Sequence, residues 1–401
     1  MGVEGREQKS LSLGSPLLAS GTLLNERRRN VLERVSAAEH SGILALPTDD
    51  PLDAKRRRRV EATHGEMMAQ PDAVRATWDD NGEYLAELAT RIVAFDLERV
   101  YLVGAGDSLA VMIAARLLME TMLRVPCEPM QSLEFAYYAA HNITARTLVL
   151  ALSSSGETTR TVEAILVAQH LGAMTVALTN TPGSTLEQES DRTLRIHATR
   201  VGWPTQSSTA GLALLLRLGA MVGALRSTPT AAESLTELDT LPELMRRTLA
   251  LATPFAEQLA EQEFAGRMYL FSAGGPNWAS AVIGAAKVKE CTPDHALAIQ
   301  VEEYHHYNSQ KAGEPLVMLA PSGPTTARAR DTVSEARRFG GQTYVVATDG
   351  DEHFGDLANA VLHLPPVTES LSPLLYFLPA QLVGYHLAMA KFAAAEASQV
   401  G

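Results

Sequence analysis

Thr147-Leu148-Val149-Leu150-Ala151-Leu152-Ser153-Ser154-Ser155-Gly156-Glu157-Thr158 reads as a buried strand running into a hydroxyl-rich turn, with the helical pattern Thr159–Leu171 behind it. An apolar strand feeding directly through a turn into a helix is the building unit of a parallel sheet, whose strands are covered on both faces. The same grammar begins at about Val100. Strands are expected at Val100–Val103, Thr147–Leu152, Thr175–Leu178 and Thr193–Ile196, with helices such as Leu109–Met122 and Thr158–Leu171 between them. Displaced by 168 residues the series repeats: Tyr101-Leu102 meets Tyr269-Leu270, Leu148-Val149 meets Leu316-Val317, Thr175-Val176 meets Thr343-Tyr344, and Leu194 meets Leu362. Four strand cores sharing one ungapped offset make the chain a tandem duplication. A linker is expected through Thr228–Leu241, where Pro, Thr, Ser and Glu are dense. The expected division is an N-terminal extension over residues 1–60, a first α/β layer domain over 61–235 and a second over 236–401. Ligands of open parallel sheets sit at the carboxyl ends of the strands.

The wider composition fits this picture. The chain has 401 residues, 46% apolar and 20% charged, enough to fill ordinary cores and unlike a disordered or disulfide-built chain. Its 34 Lys+Arg against 46 Asp+Glu leave a net charge of −12, which works against a general affinity for nucleic acid or anionic membrane, so neither is expected as a partner. Two cysteines, Cys127 and Cys291, cannot form a framework, and no zinc spacing accompanies them. The longest apolar stretches stop short of the 18 or more uninterrupted residues of a membrane span, and the N-terminus lacks a basic-then-apolar signal pattern. A cytoplasmic location is expected. The basic clusters Arg27-Arg28-Arg29 and Lys55-Arg56-Arg57-Arg58-Arg59 read as solvated or salt-bridged helix faces and are assigned no function.

The two copies diverge at strand ends. Three serines and a threonine in Ser153–Thr158, at a strand-to-helix turn, place side-chain and backbone donors at a positive helix N-terminus, which suits a phosphate; the bland alternative is a helix cap with turn serines. Gly104-Ala105-Gly106-Asp107-Ser108 ends the preceding strand, where glycines allow close backbone approach and Ser108 adds a further contact. It lacks the third glycine and following acidic residue of a dinucleotide fingerprint, so NAD is rejected. The second copy carries Pro321-Ser322-Gly323-Pro324 instead of the serine turn, a disabled loop. What it gains is charge: Lys287 and Glu290 stand where the first copy has Met119 and Met122, three apart and so on one helical face. They form either a surface ion pair or, on a face that is buried in the other copy, a proton-transfer group with its partner. Beyond them, Val301-Glu302-Glu303-Tyr304-His305-His306-Tyr307-Asn308 concentrates carboxylates, imidazoles and phenols as an acid–base site does.

At these residues the chain resembles the tandem sugar isomerase (SIS) region of glucosamine-6-phosphate synthase and its relatives, including fructosamine-6-phosphate deglycases. The resemblance covers about residues 64–391. It is carried by His64-Gly65-Glu66-Met67-Met68-Ala69-Gln70-Pro71 and its continuation to Arg75, by Gly106-Asp107-Ser108, by Ser153–Thr158, by Gly284-Ala285-Ala286-Lys287-Val288-Lys289-Glu290, and by Ser372–Leu382 followed by Tyr385-His386. It implies two tandem SIS domains, each a three-layer α/β/α sandwich of flavodoxin-like type around a parallel sheet. It implies that Ser108, Ser153, Ser154, Ser155 and Thr158 hold a sugar phosphate and that Gly106, Ser208, Thr209 and Glu303 touch the substrate. Glu290 would shuttle a proton between C1 and C2 with Lys287 close by, and His306 would handle ring opening, with His305 the alternative by a one-residue slip. Because the family places this histidine in the neighbouring subunit's site, a homodimer is implied. No metal or organic cofactor is needed.

The departures shape the expected reaction. No glutaminase domain or N-terminal cysteine is found, so hydrolysis of glutamine by this chain is not expected. The C-terminal residues from Lys391-Phe392 to Gln399-Val400-Gly401 lack the family's final lysine segment, which puts Schiff-base chemistry in doubt. The Ser-Thr-Lys stretch reads Gln206-Ser207-Ser208-Thr209-Ala210, the His-Gly-Pro reads His306-Tyr307-Asn308, and the helix's early acidic residue is Ile283. Three functions are therefore carried forward: an aldose–ketose isomerase of a phosphorylated sugar, an ammonia-dependent aminosugar-phosphate synthase or fructosamine-6-phosphate deglycase, and a non-catalytic sugar-phosphate-binding regulator.

Overall fold

The computed structural model describes residues 24–43, 48–307 and 310–400. Asn308 and the start of the expected extension, including the Gly-, Ser- and Leu-rich stretch up to Gly21, lie outside the described residues. Among the described residues, three helices precede the sheets: α1 (Glu26–Ile43), α2 (Ala54–Met68) and α3 (Gln70–Ala94). Two five-stranded parallel sheets follow. The first holds β1 (Arg99–Gly104), β2 (Cys127–Gln131), β3 (Thr147–Leu152), β4 (Met174–Thr179) and β5 (Arg192–Arg195) in the order β2-β1-β3-β4-β5. The second holds β6 (Met268–Ala273), β7 (His295–Gln300), β8 (Pro315–Ala320), β9 (Gln342–Thr348) and β10 (Ala360–Leu364), and read from its β7 edge it has the identical order. This is the 2-1-3-4-5 order of a flavodoxin-like doubly wound sheet, present twice. The 168-residue offset carries Thr147–Leu152 onto Pro315–Ala320 residue for residue.

Helices α4 (Asp107–Leu123), α5 (Thr159–His170) and α6 (Gln206–Leu225) complete the first half, and α7 (Ala231–Glu263), α8 (Trp278–Cys291), α9 (Val301–Tyr307), α10 (Thr326–Arg338) and α11 (Pro373–Val400) complete the second. Strands β3, β4 and β8 are buried at every position, as strands covered on both faces must be. One apolar cluster joins the halves, and it includes Leu215 and Leu218 of α6, Met245 and Leu249 of α7, Leu375 and Phe377 of α11, and the strand residues Leu150 and Val317. A fully buried Leu of this kind contributes about 1.5–3 kcal/mol relative to an exposed one.

Two expectations change. Thr228–Leu241 is no extended linker, because α7 starts at Ala231; Ala231, Ser234, Leu238 and Leu241 are its buried stripe. Helix α6, though interrupted by polar residues and Arg217, is long and apolar enough by length and mean hydropathy to cross a membrane, and 78% of its most apolar window is buried inside the fold. The basic run Lys55–Arg59 lies on α2, capped by the Asp53 carboxylate, but it is not all a solvated face. Arg57 pairs with Glu61 at 3.0 Å, whereas Arg56 is buried against the Thr48 carbonyl and Arg59 stacks 3.5 Å over the Trp203 ring.

Candidate functional site

In a sheet of this order the strand direction of winding reverses between β1 and β3, and the crevice outside their carboxyl ends is the natural ligand position. Both ends carry the loops that the sequence singles out. From β3 the chain enters Ser153, whose hydroxyl lies 2.9 Å from Thr158 Oγ1 and 3.4 Å from Ser155 Oγ and accepts from the Gly156 amide at 3.1 Å. These bonds fold the loop into a cup ahead of α5. Gly156 has φ +65°, and a Cβ there would sit 2.1 Å from Ser184 Oγ, so conformation and space both require glycine. Glu157 ties the cup down by accepting from the Thr185 amide at 2.7 Å and its hydroxyl at 2.8 Å. Thr158 makes no side-chain cap bond to α5, and Ser154 Oγ is buried without a hydrogen-bond partner among the described residues. Ser153, Ser155, Thr158 and the Gly156 and Glu157 amides thus bond to one another and shape the cup, while Ser154 Oγ keeps its hydrogen-bonding capacity unspent close to a helix N-terminus.

Replacing Gly156 with Ala is expected to collapse this cup. The left-handed backbone alone costs about 1–2 kcal/mol, and the clash with Ser184 adds to it. Thermal unfolding should show a lowered midpoint, and titration with inorganic phosphate should show weakened binding; a variant matching the parent in both would contradict the assigned geometry.

From β1 the chain turns at Gly104, where a Cβ would meet the Ser108 backbone at 2.7 Å, and at Gly106, φ +57°. Helix α4 then begins at Asp107, whose carboxylate lies 2.7 Å from Lys287 Nζ. Lys287 comes from α8 of the other half. Its side chain is fully buried, it donates to the Pro204 carbonyl at 2.8 Å, and it pairs with Glu290 one turn on. Gly384 of α11 makes this possible, because a Cβ there would lie 2.8 Å from the Lys287 backbone. Burial acts to lower the Lys287 pKa, but the Asp107 and Glu290 carboxylates outweigh it and hold the ammonium above its usual range. For Glu290 burial dominates in the opposite sense: helped by the like charge of Asp107 and opposed by Lys287, it pushes the carboxyl up to about 7. Yet 27% of the Glu290 side chain remains accessible, through the cavity it lines.

That cavity measures about 290 Å³ and brings together Gly106, Ser108, Ser153, Ser154, Ser155, Thr158, Ser208 and Glu290, all expected from the sequence, with Lys287 fixed directly behind Glu290. It also contains Asp107, Ser207 and Arg200, to which sequence reasoning gave no role. A signal for Asp107 was present: its partner at the 168-residue offset is the uncharged Gly275, just as the partners of Lys287 and Glu290 are Met119 and Met122. Four expected residues are not at the cavity. Thr209 is buried, donating to Gln70 Oε1 at 2.5 Å. His305 is held by Glu335 at 2.5 Å and Thr332 at 2.9 Å, a tie between α9 and α10. His306 and Glu303 lie exposed on α9, His306 facing Glu302 at 3.5 Å. In one chain, α9 packs outside β6 and β7 and cannot deliver them to the crevice of the first sheet. A larger cavity of about 670 Å³ between α3, α6 and α7, lined by Arg75, Trp78 and Asp239, contains none of the expected site residues.

Residues 95–220 match the SIS domain family. The isomerizing glutamine–fructose-6-phosphate aminotransferase of Thermus thermophilus is 32% identical over 314 residues, which is 77% of this chain and 52% of that protein; the chain spans about half the length of the curated relatives it matches. Among solved structures, the C-terminal domain of glucosamine-fructose-6-phosphate aminotransferase from Francisella tularensis superposes with a TM-score of 0.70 at 23% identity, covering 81% of this chain and 95% of that one. Tagatose-6-phosphate ketose/aldose isomerase from Escherichia coli shares the fold with a TM-score of 0.69 at 18% identity, over 82% and 92% of the two chains. With its doubled sheet order and its serine crevice, the chain has an α/β SIS-like fold of two tandem domains, similar over most of its length to about half of the aminotransferase.

Proposed function

We propose that this chain is an enzyme acting on a phosphorylated sugar, moving a proton between C1 and C2 of the open-chain form. The carrying observation is that Glu290, with its carboxyl pushed up to about 7, lines the same cavity as the serine cup. A base poised near the working pH both exists as carboxylate and can return the proton, which an ordinary exposed glutamate does poorly. The phosphate sits on Ser108, Ser153, Ser154, Ser155 and Thr158, and the Lys287–Asp107 pair fixes Glu290 and the charge behind it. His306, exposed and away from its own chain's cavity, opens the sugar ring in the site of a second copy, so the working unit is a cytoplasmic homodimer. A second reaction on the same scaffold, ammonia-dependent aminosugar formation or deglycation, is favoured by the names of the curated relatives, which are aminotransferases. Incubating purified protein with hexose phosphates, with and without ammonia, and with a fructosamine 6-phosphate separates these by product. Binding of phosphosugars with no turnover of any of them would instead favour a regulator.

The pH dependence follows from Glu290. Below about pH 7 the carboxyl is protonated and cannot take the proton, so kcat/KM should rise with pH to a plateau above 7 and fall about tenfold per unit on the acid side. Arg59 opposes the raised value by its positive charge, so Arg59→Gln should move the midpoint upward. A flat profile from pH 5 to 8 would remove Glu290 from the rate equation.

A further inference from the structure

The serine cup offers hydroxyls, amides and a helix end, but a phosphate monoester is close to a dianion at neutral pH and none of those donors carries a full charge. One does stand beside it. Arg200 lines the same cavity, and its Nη1 lies 3.4 Å from Thr181 Oγ1, which in turn donates to the Ser154 carbonyl at 3.1 Å, so the guanidinium hangs over the cup one residue removed from it. The loop presenting it is rigid. The Val201 and Gly202 amides donate to the Glu66 carboxylate at 2.6 and 3.2 Å, and the Trp203 amide donates to Thr63 Oγ1 at 2.7 Å. Gly202 packs so closely on α2 that a Cβ would lie 2.4 Å from Thr63 Oγ1.

The charge of Arg200 is also left uncompensated. Among the described residues no carboxylate lies within ion-pair distance of it, and Glu66, the acidic group nearest in effect, is taken up by the two backbone amides. Arg59, stacked on Trp203, adds a second positive charge nearby, and the repulsion between the two is felt at Arg59. Arg59 faces Glu290 rather than the cup, so Arg200 is the cavity-lining guanidinium with no carboxylate at ion-pair distance among the described residues, and the component missing beside it is negative.

We infer that Arg200 is the charged arm of the phosphate clamp, closing over a phosphate monoester seated on Ser153–Thr158 and supplying the full positive charge that the serine cup lacks. The inference deepens the phosphosugar assignment above and rests on it. It makes phosphate recognition depend on the β5–α6 loop as well as the β3–α5 loop, and it makes binding selective for a doubly charged monoester over a neutral sugar.

Isothermal titration of the full chain with inorganic phosphate and with glucitol 6-phosphate, at low and at 0.5 M salt, tests this in the parent protein, Arg200→Met and Arg200→Lys. The expected result is that Arg200→Met weakens both probes roughly 10- to 100-fold and flattens their salt dependence, and that Arg200→Lys restores most of the loss. Arg200 is solvent-accessible, so the variants should keep the parent's melting temperature, and Arg200→Lys separates a charge effect from a folding one. Binding by Arg200→Met equal to the parent's overturns the assignment while leaving the phosphosugar function standing. A parent protein that binds neither probe overturns both.

Discussion

Glu290→Gln is expected to lower turnover about 10²- to 10⁴-fold, the range lost when a positioned general base is removed, with phosphate binding preserved. Glutamine has the shape of glutamate and can still accept from Lys287 Nζ, so the Asp107–Lys287 anchor and the helix face stay in place. What disappears is the only property that burial and Asp107 work to produce, a carboxyl that titrates at about 7. The serine cup belongs to the other half of the chain, so phosphate affinity should change less than threefold while kcat collapses. Steady-state assay of the variant beside phosphate titration separates these; retained turnover would sink the role given to Glu290.

Lys287→Met carries the largest expected effect on stability. Its ammonium is fully buried and sits between two carboxylates, one from each half of the molecule. Removing the cation leaves Asp107 and Glu290 as unpaired like charges in a poorly hydrated place, a loss of about 3–5 kcal/mol. Two consequences follow with definite sign. The Glu290 pKa should climb further above 7, since the group that opposed burial is gone, and the double variant Asp107→Asn, Lys287→Met should recover part of the lost stability because it removes one of the orphaned charges. Urea unfolding of parent, single and double variants measures both. A single variant within about 0.5 kcal/mol of the parent would mean that the pair is decoration rather than the clasp between the halves.

The duplicated architecture was legible because a constant offset is a property of the sequence alone. Strands β2 and β7 escaped because Cys127-Glu128-Pro129-Met130-Gln131 is an edge strand, where a proline and alternating polar residues are tolerated and no buried run builds up. The Thr228–Leu241 segment looked like a linker because propensity sees Thr, Pro and Ser, whereas its helix is decided by the stripe Ala231, Ser234, Leu238 and Leu241 packing on the core. At the site, the serine cup and the Lys287–Glu290 face were visible as departures of one copy from the other. Asp107 departs from Gly275 in the same way, but its role was not legible, because its partner lies 180 residues away in the other half and only the docking of α8 onto α4 joins them. Arg59 was hidden in a basic run that looks uniform along the chain, while helical geometry sends Arg58 to solvent, Arg57 to Glu61 and Glu396, and Arg59 to Trp203. The histidine-rich segment was legible as a dense cluster of titratable groups but not as a location: α9 lies on the second sheet, and the crevice belongs to the first.

We propose that the crevice between the serine cup and Glu290 exchanges a proton at the carbon next to the sugar carbonyl. This exchange is tested most directly by incubating the protein with fructose 6-phosphate and related ketose phosphates in heavy water and following the C1 and C2 proton signals by NMR. Deuterium should enter at C1 or C2 of at least one of them with the parent protein, and not with Glu290→Gln, whether or not a net product accumulates. Exchange at the parent rate in Glu290→Gln, or its absence from every phosphosugar that the protein demonstrably binds, would contradict the account.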